Sequence, residues 1–283
     1  MSTTFGIVII GDEILSGKRA DKHLAKTIEL LGARGLQLSY ADYVGDDPAR
    51  ITAALRRAFD AARDRGDVVF SCGGIGATPD DHTRQCAAQA LGVELELHTE
   101  ARRLIMERMQ DTAREQGVPY EPDRHDNVHR LNMGVFPVGA GIIPNPYNKI
   151  PGFFWRSEGA RLHPDPAGGV YFVPGFPVMA WPMMEWVLDT HYGDLHQKSA
   201  WIEKSIIVFG SMEATLTPLM VRLEAAHPGV KIFSLPSVDH PEYGRHIELG
   251  VKGDPVTVAA AYPALLAGLH AFDFRLGPEL VRS

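Results

Sequence analysis

The sequence predicts an α/β protein in two parts: a three-layer α/β/α domain with a mainly parallel sheet over residues 1–190, and a small α+β domain over residues 200–275. Three observations predict it. Short apolar runs such as Phe5–Ile10 and Asp67–Ser71 end in glycine-rich turns and alternate with segments whose apolar residues recur at helical spacing. That β-α-β-α-β-α order is the one that short right-handed crossovers convert into parallel strands covered by helices on both faces. Beyond a polar stretch at 189–200 the order changes to β-α-β-β-α, and 283 residues suffice for two domains.

Phe5–Ile10 is apolar throughout, as a strand buried on both faces must be. Asp21–Leu31 places Leu24, Ala25, Ile28 and Leu31 on one helical face and is stopped by Gly32 and Gly35. Leu36–Val44 is the second strand. Asp47 as N-cap and Pro48 at the first helical position open the next helix, whose buried face is Ile51, Leu55, Ala58 and Phe59. Asp67–Ser71 is the third strand, Thr83–Leu91 a helix ending at Gly92, and Glu100–Gln116 a helix striped by Leu104, Ile105, Met109 and Ala113. Residues 117–170 are rich in Pro, Gly and Asn and carry short strands at Val135–Val138, Gly152–Trp155 and Val170–Val173; a helix follows at Met179–Leu188. In the second part, strands are predicted at Trp201–Phe209, Val230–Pro236 and His246–Lys252, and helices at Ala214–Ala226 and Val256–Phe272.

Composition narrows the function. Lys and Arg total 28 against 35 Asp and Glu, a net charge of −7 with no polybasic run, which argues against a life on nucleic acid or an anionic membrane. No apolar run is long enough to span a bilayer, and the N-terminus lacks the pattern of a signal peptide. Two cysteines, Cys72 and Cys86, provide neither a disulfide framework nor a Cys-rich zinc site, so a reducing cytoplasm is expected.

The strongest local signal is Ser71–Thr83 (SCGGIGATPDDHT), between a buried strand and a helix. Gly73, Gly74 and Gly76 permit close backbone approach to a ligand, and amides at the start of the following helix suit an anion. Asp80 and Asp81 would repel an anion but suit a cation or the N–H donors of a heterocycle. The plain alternative is a tight turn with one aspartate as N-cap. Gly11-Asp12-Glu13 follows the first strand and reaches the same end of the sheet, so Asp12, Glu13, Asp80 and Asp81 could converge on a divalent metal; capping and solvated charge are the alternative. Asp47 reads as an N-cap, Asn145 as either a heterocycle contact or a turn residue, and Pro174-Gly175 as either a rigid turn or another wall of the pocket. The 12 histidines show no metal-binding spacing; His82, inside the loop, is the one to watch. Cys72 is either a reactive thiol or a buried strand-end residue.

GDEILSG (11–17), VGDD (44–47), GGIGATPDDHT (73–83), PNPYNKIPGF (144–153) and VPGFP (173–177) occur in this order. Together they resemble the molybdopterin-binding fold of the MoaB/MogA proteins, and more closely the N-terminal region of the competence/damage-inducible protein CinA; the related domain of eukaryotic FAD synthases is also similar. The resemblance covers residues 3–190, and the small domain looks like the segment that follows this fold in CinA. It implies a pterin- or nucleotide-sized pocket at the strand ends. Ligand contacts are then expected from Gly11, Asp12, Gly73, Gly74, Gly76, Thr78, Asp80, Asn145, Lys149, Pro174 and Gly175. Asp81 and Asp47 align with the catalytic carboxylates of MogA-type adenylylation, and Asp12, Glu13, Asp80 and Asp81 would hold a metal. CinA-type domains imply a pyrophosphatase on ADP-ribose that uses a divalent cation (Mg or Co) and potassium, and the FAD synthase relative implies FAD hydrolysis. Relatives of this kind form dimers or trimers, with the small domain as one candidate contact.

Three readings follow from the resemblance: a metal-dependent pyrophosphatase on ADP-ribose-like nucleotides, a non-catalytic binder of molybdopterin or a related pterin nucleotide, and, less favoured, a molybdopterin adenylyltransferase. The departures favour the binder. Ile75 stands where MoaB/MogA members carry Thr, and Ala77 where relatives carry Pro. Lys18–His23 lacks a family Asn, and Asn148-Lys149 replaces a Gly-Thr pair, bringing a cation toward the pocket. No CinA-type amidase segment follows residue 275, so deamidation of nicotinamide mononucleotide is not expected.

Overall fold

A computed structural model describes residues 3–157, 167–196 and 202–282. The chain divides into two compact units, Met1–His196 and Gln197–Ser283.

The first unit contains β1 (Phe5–Ile10), α1 (Asp12–Leu15), α2 (His23–Gly32), β2 (Leu38–Val44), α3 (Pro48–Arg65), β3 (Val68–Cys72), α4 (Thr83–Leu91), β4 (Leu95–Leu97), α5 (Thr99–Gln116), α6 (His125–Arg130), β5 (Val135–Pro137), β6 (Gly141–Ile143), β7 (Gly152–Arg156), β8 (Gly169–Val173) and α7 (Pro177–His191). The main sheet has the order β2-β1-β3-β8-β7-β6; the first four strands are parallel, and β7 and β6 add an antiparallel edge. Because the central strands are covered on both faces, their alternate residues feed two cores. Phe5, Ile7, Ile9, Val68, Phe70 and Tyr171 pack with α2 and α7. Val8, Ile10, Val69, Val170 and Phe172 pack with α3 and α4. This is the mainly parallel three-layer arrangement that the alternation of strands and helices predicts.

The strand order fixes where a ligand can enter. From β1 the chain crosses to β2 on one side and returns to β3 on the other. The loops leaving β1 and β3 therefore part at the carboxyl ends of adjacent strands and leave a crevice between them. The 117–170 stretch holds more regular structure than its composition suggests: α6 and β6 go beyond the sequence pattern, and the strand expected at Val135–Val138 is β5, which pairs antiparallel with the unpredicted β4. α7 runs three residues past Leu188 to His191, and a short 3-10 turn spans Gly193–Leu195, so the expected linker begins later; its residues 197–200 lie outside the described residues, as does Trp201. Among the described residues no helix is long and apolar enough to cross a membrane.

The second unit contains β9 (Ile202–Phe209), α8 (Glu213–Ala226), β10 (Lys231–His240), β11 (Gly244–Gly253), α9 (Pro255–Leu269) and β12 (Arg275–Arg282). Its antiparallel sheet has the order β10-β11-β9-β12, with a core that includes Leu216, Leu219, Leu249, Val251 and Leu265. β12 has no counterpart among the predicted strands. Its Gly277-Pro278 pair breaks the strand pattern, and the pairing register shifts between Leu276 and Glu279; an edge strand tolerates both.

Candidate functional site

The loop after β3 is built so that its carbonyls face the protein and its amides do not. The Gly73 amide donates to the Val173 carbonyl (3.0 Å), continuing the ladder one step past Cys72. Gly73 (φ 108°) and Gly74 (φ 66°) then turn the chain. A Cβ on Gly73 would run into the Ile10 carbonyl and one on Gly74 into the Thr83 hydroxyl, so this close approach admits only glycine. Ile75 is buried in the core on the α3 and α4 face and anchors the loop there. The Thr83 hydroxyl donates to the Gly73 carbonyl (3.0 Å) and the Thr83 amide to the Gly74 carbonyl (3.0 Å). Arg84, almost wholly buried, donates to the carbonyls of Gly76 (2.6 Å) and Asn132 (2.5 Å). His129 donates from Nε2 to the Ala77 carbonyl (2.9 Å). Among the described residues the amides of Gly74, Ile75, Gly76 and Ala77 meet no acceptor. Consecutive free amides of this kind form a concave anion cradle.

The loop closes on itself through Asp81, whose Oδ2 accepts from the Thr78 amide (2.8 Å) and hydroxyl (2.5 Å). Asp80 is exposed on the same loop.

Across the crevice, β1 leads through Gly11, whose amide donates to the Val44 carbonyl (3.0 Å). Asp12 and Asp46 lock the two strand ends together: the Asp12 amide donates to Asp46 Oδ2 (2.9 Å), and the Asp46 amide to Asp12 Oδ1 (3.2 Å). Asp47 caps α3 by accepting from the Arg50 amide (2.8 Å). Its side chain is thereby occupied, and it is Asp46 that faces the crevice. Burial raises the Asp46 carboxyl above its ordinary value, and the charges of Asp12, Glu13 and Asp80 push the same way against the Asp12 amide bond.

A cavity of about 540 Å³ opens between these loops. The amide cradle forms one wall, Glu13, Arg19, Asp46, Asp80 and Asp81 supply its charge, and Pro174, Gly175 and the half-exposed Phe176 close another side. His23 at the start of α2 donates from Nε2 to the Gly175 carbonyl (3.0 Å) and holds that wall in place.

Of the residues expected to bind ligand, Gly11, Gly73, Gly74, Gly76, Thr78, Asp80, Pro174 and Gly175 line the cavity, as do Glu13 and Asp81. Asp12 and Asp47 do not line it; the Asp12 carboxylate accepts from the Asp46 amide and the Asp47 carboxylate from the Arg50 amide. Asn145 is buried and spends its amide on its own loop: Nδ2 donates to Asn148 Oδ1 (2.8 Å) and the Ile150 carbonyl (2.9 Å), and Oδ1 accepts from the Tyr147 amide (3.0 Å). Lys149 does not extend into the cavity; its ammonium pairs with Asp111 on α5 (2.6 Å). Cys72 is buried, and that burial pushes its thiol pKa up, which makes it a poor nucleophile. His82 lines a neighbouring cavity on the outer side of the loop, together with His129 and Gln85.

The metal expectation meets a geometric difficulty. Among the described residues no three His, Cys, Asp or Glu side chains converge closely enough to hold a metal ion. Asp12 is drawn to the Asp46 amide and Asp81 to Thr78, so the expected quartet is spread around the rim instead of meeting at one point. Sequence reasoning missed Asp46, Arg19, Arg84 and His129. Asp46 was recoverable: a cap at Asp47 ahead of Pro48 ties that residue to α3 and leaves the preceding aspartate, at the end of β2, beside the crevice.

The family described as a probable molybdopterin binding domain matches this chain over residues 6–192. A protein of Pyrobaculum arsenaticum is 29% identical over 230 residues, covering 81% of this chain and 78% of that protein. A CinA-like protein of Anaeromyxobacter is 34% identical over 172 residues, 61% of this chain and 37% of its own length. The crystal structure of the protein CinA with unknown function from Thermoplasma acidophilum superimposes with a TM-score of 0.51 at 23% identity, over 66% of this chain and 98% of that one, a likeness of fold. The family match spans well over half of the sequence and coincides with the unit that carries the cavity: this chain belongs to the family of probable molybdopterin binding domains and is CinA-like.

Proposed function

We propose that the cavity binds a phosphorylated pterin or a related nucleotide, with the phosphate on the amides of Gly74–Ala77 and the ring system against the carboxylates. The observation that carries this is the hydrogen-bond accounting of the loop: its carbonyls are engaged with the protein and its consecutive amides are free beside the cavity. Arg19 supplies the one cationic side chain among the described lining residues. The carboxylates of Asp46, Glu13 and Asp80 offer acceptors to the amino and ring N–H groups of a pterin, which a phosphate alone would not use. Phe176 offers a face on which a planar ring can lie. Titration calorimetry with a pterin phosphate and with the unphosphorylated pterin tests the reading. Phosphate-dependent binding is expected; equal affinities for the two would overturn the assignment of the amides.

Hydrolysis of an ADP-ribose-like pyrophosphate is the second reading, and one observation favours it. Asp46 faces the cavity with its proton affinity raised by burial, the condition of a carboxylate suited to taking a proton from water. In this reading Asp46 and Asp81 orient the water, the amides hold the phosphates, and a divalent cation supplies charge neutralisation when bound. Release of AMP from ADP-ribose with Mg²⁺ or Co²⁺, abolished by a chelator and by Asp81→Asn, is the expected signature. Undiminished turnover in Asp81→Asn would remove that residue from the reaction. Molybdopterin adenylylation has no observation of its own to favour it. A cytoplasmic dimer or trimer goes with either reading, and sedimentation of the full chain measures the assembly.

A further inference from the structure

We propose that Asp46 reads the edge of the ligand's ring, so that the strand-end cavity selects rings carrying an amino group beside a ring N–H, the edge that pterin and guanine share, over the same rings without that amino group. The inference rests on the reading of the cavity as a site for a phosphorylated pterin or a related nucleotide, and adds to it the group that chooses the ring.

Asp46 is held from two sides. The Asp12 amide donates to its Oδ2 (2.9 Å), and its own amide donates back to Asp12 Oδ1 (3.2 Å). This interlock ties the end of β2 to the end of β1 and fixes the carboxylate between them. Gly45 makes room for it, because a Cβ there would run into Asp12 Oδ1. Asp46 lines the cavity, and its Oδ1 has no hydrogen-bond partner among the described residues. The other acidic lining residues are placed differently. Asp81 spends Oδ2 on the amide and hydroxyl of Thr78 within its own loop, and Asp80 is exposed. Glu13 has no hydrogen bond to its carboxylate among the described residues. Of these four, Asp46 is the one tied to the backbone of a neighbouring strand end.

What remains open on Asp46 decides what it can hold. An ionised carboxylate only accepts. Oδ1 offers its lone pairs, and Oδ2 keeps one beyond the Asp12 amide. Two parallel N–H donors match that pair of oxygens, and an amino group beside a ring N–H supplies them in one plane. A carbonyl oxygen in place of the amino group would set a lone pair against the carboxylate, and a hydrogen there would leave one oxygen unmatched. Burial already raises the Asp46 carboxyl above its ordinary value, so a donor edge relieves a charge that the fold leaves only partly satisfied.

Calorimetry on the full chain tests this with two ligand pairs. One is pterin phosphate and lumazine phosphate, in which a carbonyl oxygen replaces the amino group. The other is GMP and IMP, which lacks the amino group. Within the pair whose ring the cavity takes, the amino member is expected to bind about tenfold more tightly. Asp46→Asn turns one acceptor into a donor. It is expected to reverse the order within the pterin pair and to erase the difference within the nucleotide pair. A damaged fold would weaken all four ligands together and cannot reverse an order. Asp12 acts as a positioning residue: Asp12→Ala is expected to blunt the preference, whereas Asp12→Asn, which can still accept from the Asp46 amide, keeps it. Equal affinities within both pairs, in a wild type that still binds them, would overturn the role of Asp46 and leave the reading of the cavity standing. A wild type that binds none of the four would overturn both. An Asp46→Asn variant with the wild-type order of preference would also overturn the assignment.

Discussion

Two irregular loops border the same cavity and do opposite things. Gly73–Thr83 is rich in Gly, Asp and Thr, Pro144–Pro151 in Pro and Asn, and both read as ligand contacts. In the first, Thr83, Arg84 and His129 take up the carbonyls and leave the amides free. In the second, Asn145 and Lys149 direct their polar groups to their own loop and to α5. Composition marks both as irregular; only the destination of each donor and acceptor distinguishes a cradle from a strut.

The largest effect is expected from removing what faces the cradle outward. Arg84→Met leaves the Gly76 and Asn132 carbonyls without their buried donor and is expected to cost about 2–4 kcal/mol of stability, read by urea unfolding. The same variant should lose affinity for a phosphorylated ligand even at urea-free conditions where it remains folded. If Arg84→Met unfolded easily yet bound normally, the guanidinium would be a core strut only, and the contrast between the two loops would lose its functional meaning.

Asn145→Ala is expected to show the reverse pattern. It removes three hydrogen bonds internal to the Pro-rich loop, at about 1–3 kcal/mol of stability, while phosphate affinity changes little. A variant of near-normal stability that fails to bind would instead place Asn145 on the ligand.

These two cases show what was legible beforehand. The parallel sheet was, because Phe5–Ile10 and Val68–Cys72 are apolar on both faces and can only be central strands. Their order put the Gly11 and Gly73 turns at one crevice, and the glycines, Glu13, Asp80, Asp81, Pro174 and Gly175 line it. Side-chain destination was less legible. Asp47 reads as the cap of α3, because Pro48 marks the helix start, but the reading does not extend from there to Asp46 as the lining residue. Lys149 looked like a ligand group because nothing local shows that Asp111, 38 residues earlier, waits on α5. β12 escaped for a related reason: an edge strand interrupted by Gly277-Pro278 is recognisable only from its pairing with β9.

A smaller effect should come from the acidic side. The fold raises the proton affinity of Asp46, so its ionised form is penalised in the folded state relative to the unfolded chain. The penalty is full above the raised folded value and disappears as pH falls through it toward the ordinary carboxylate value. Asp46→Asn keeps an acceptor for the Asp12 amide and removes the charge. It is therefore expected to raise Tm slightly at neutral pH, by about 1–2 °C, with the gain vanishing in acid. A thermal shift that does not depend on pH would show that the gain has another source.

Lys149→Ala should do least, and for that reason it tests the contrast most directly. The ammonium sits on an exposed pair with Asp111, and pairs of that kind contribute little. Affinity for a phosphorylated ligand, measured by calorimetry at low salt where a long-range charge would be felt most, is expected to stay within about twofold of the wild type. A tenfold loss would mean that the side chain leaves Asp111 and reaches the phosphate when ligand arrives. The Pro-rich loop would then be a second, conditional half of the cradle rather than its support.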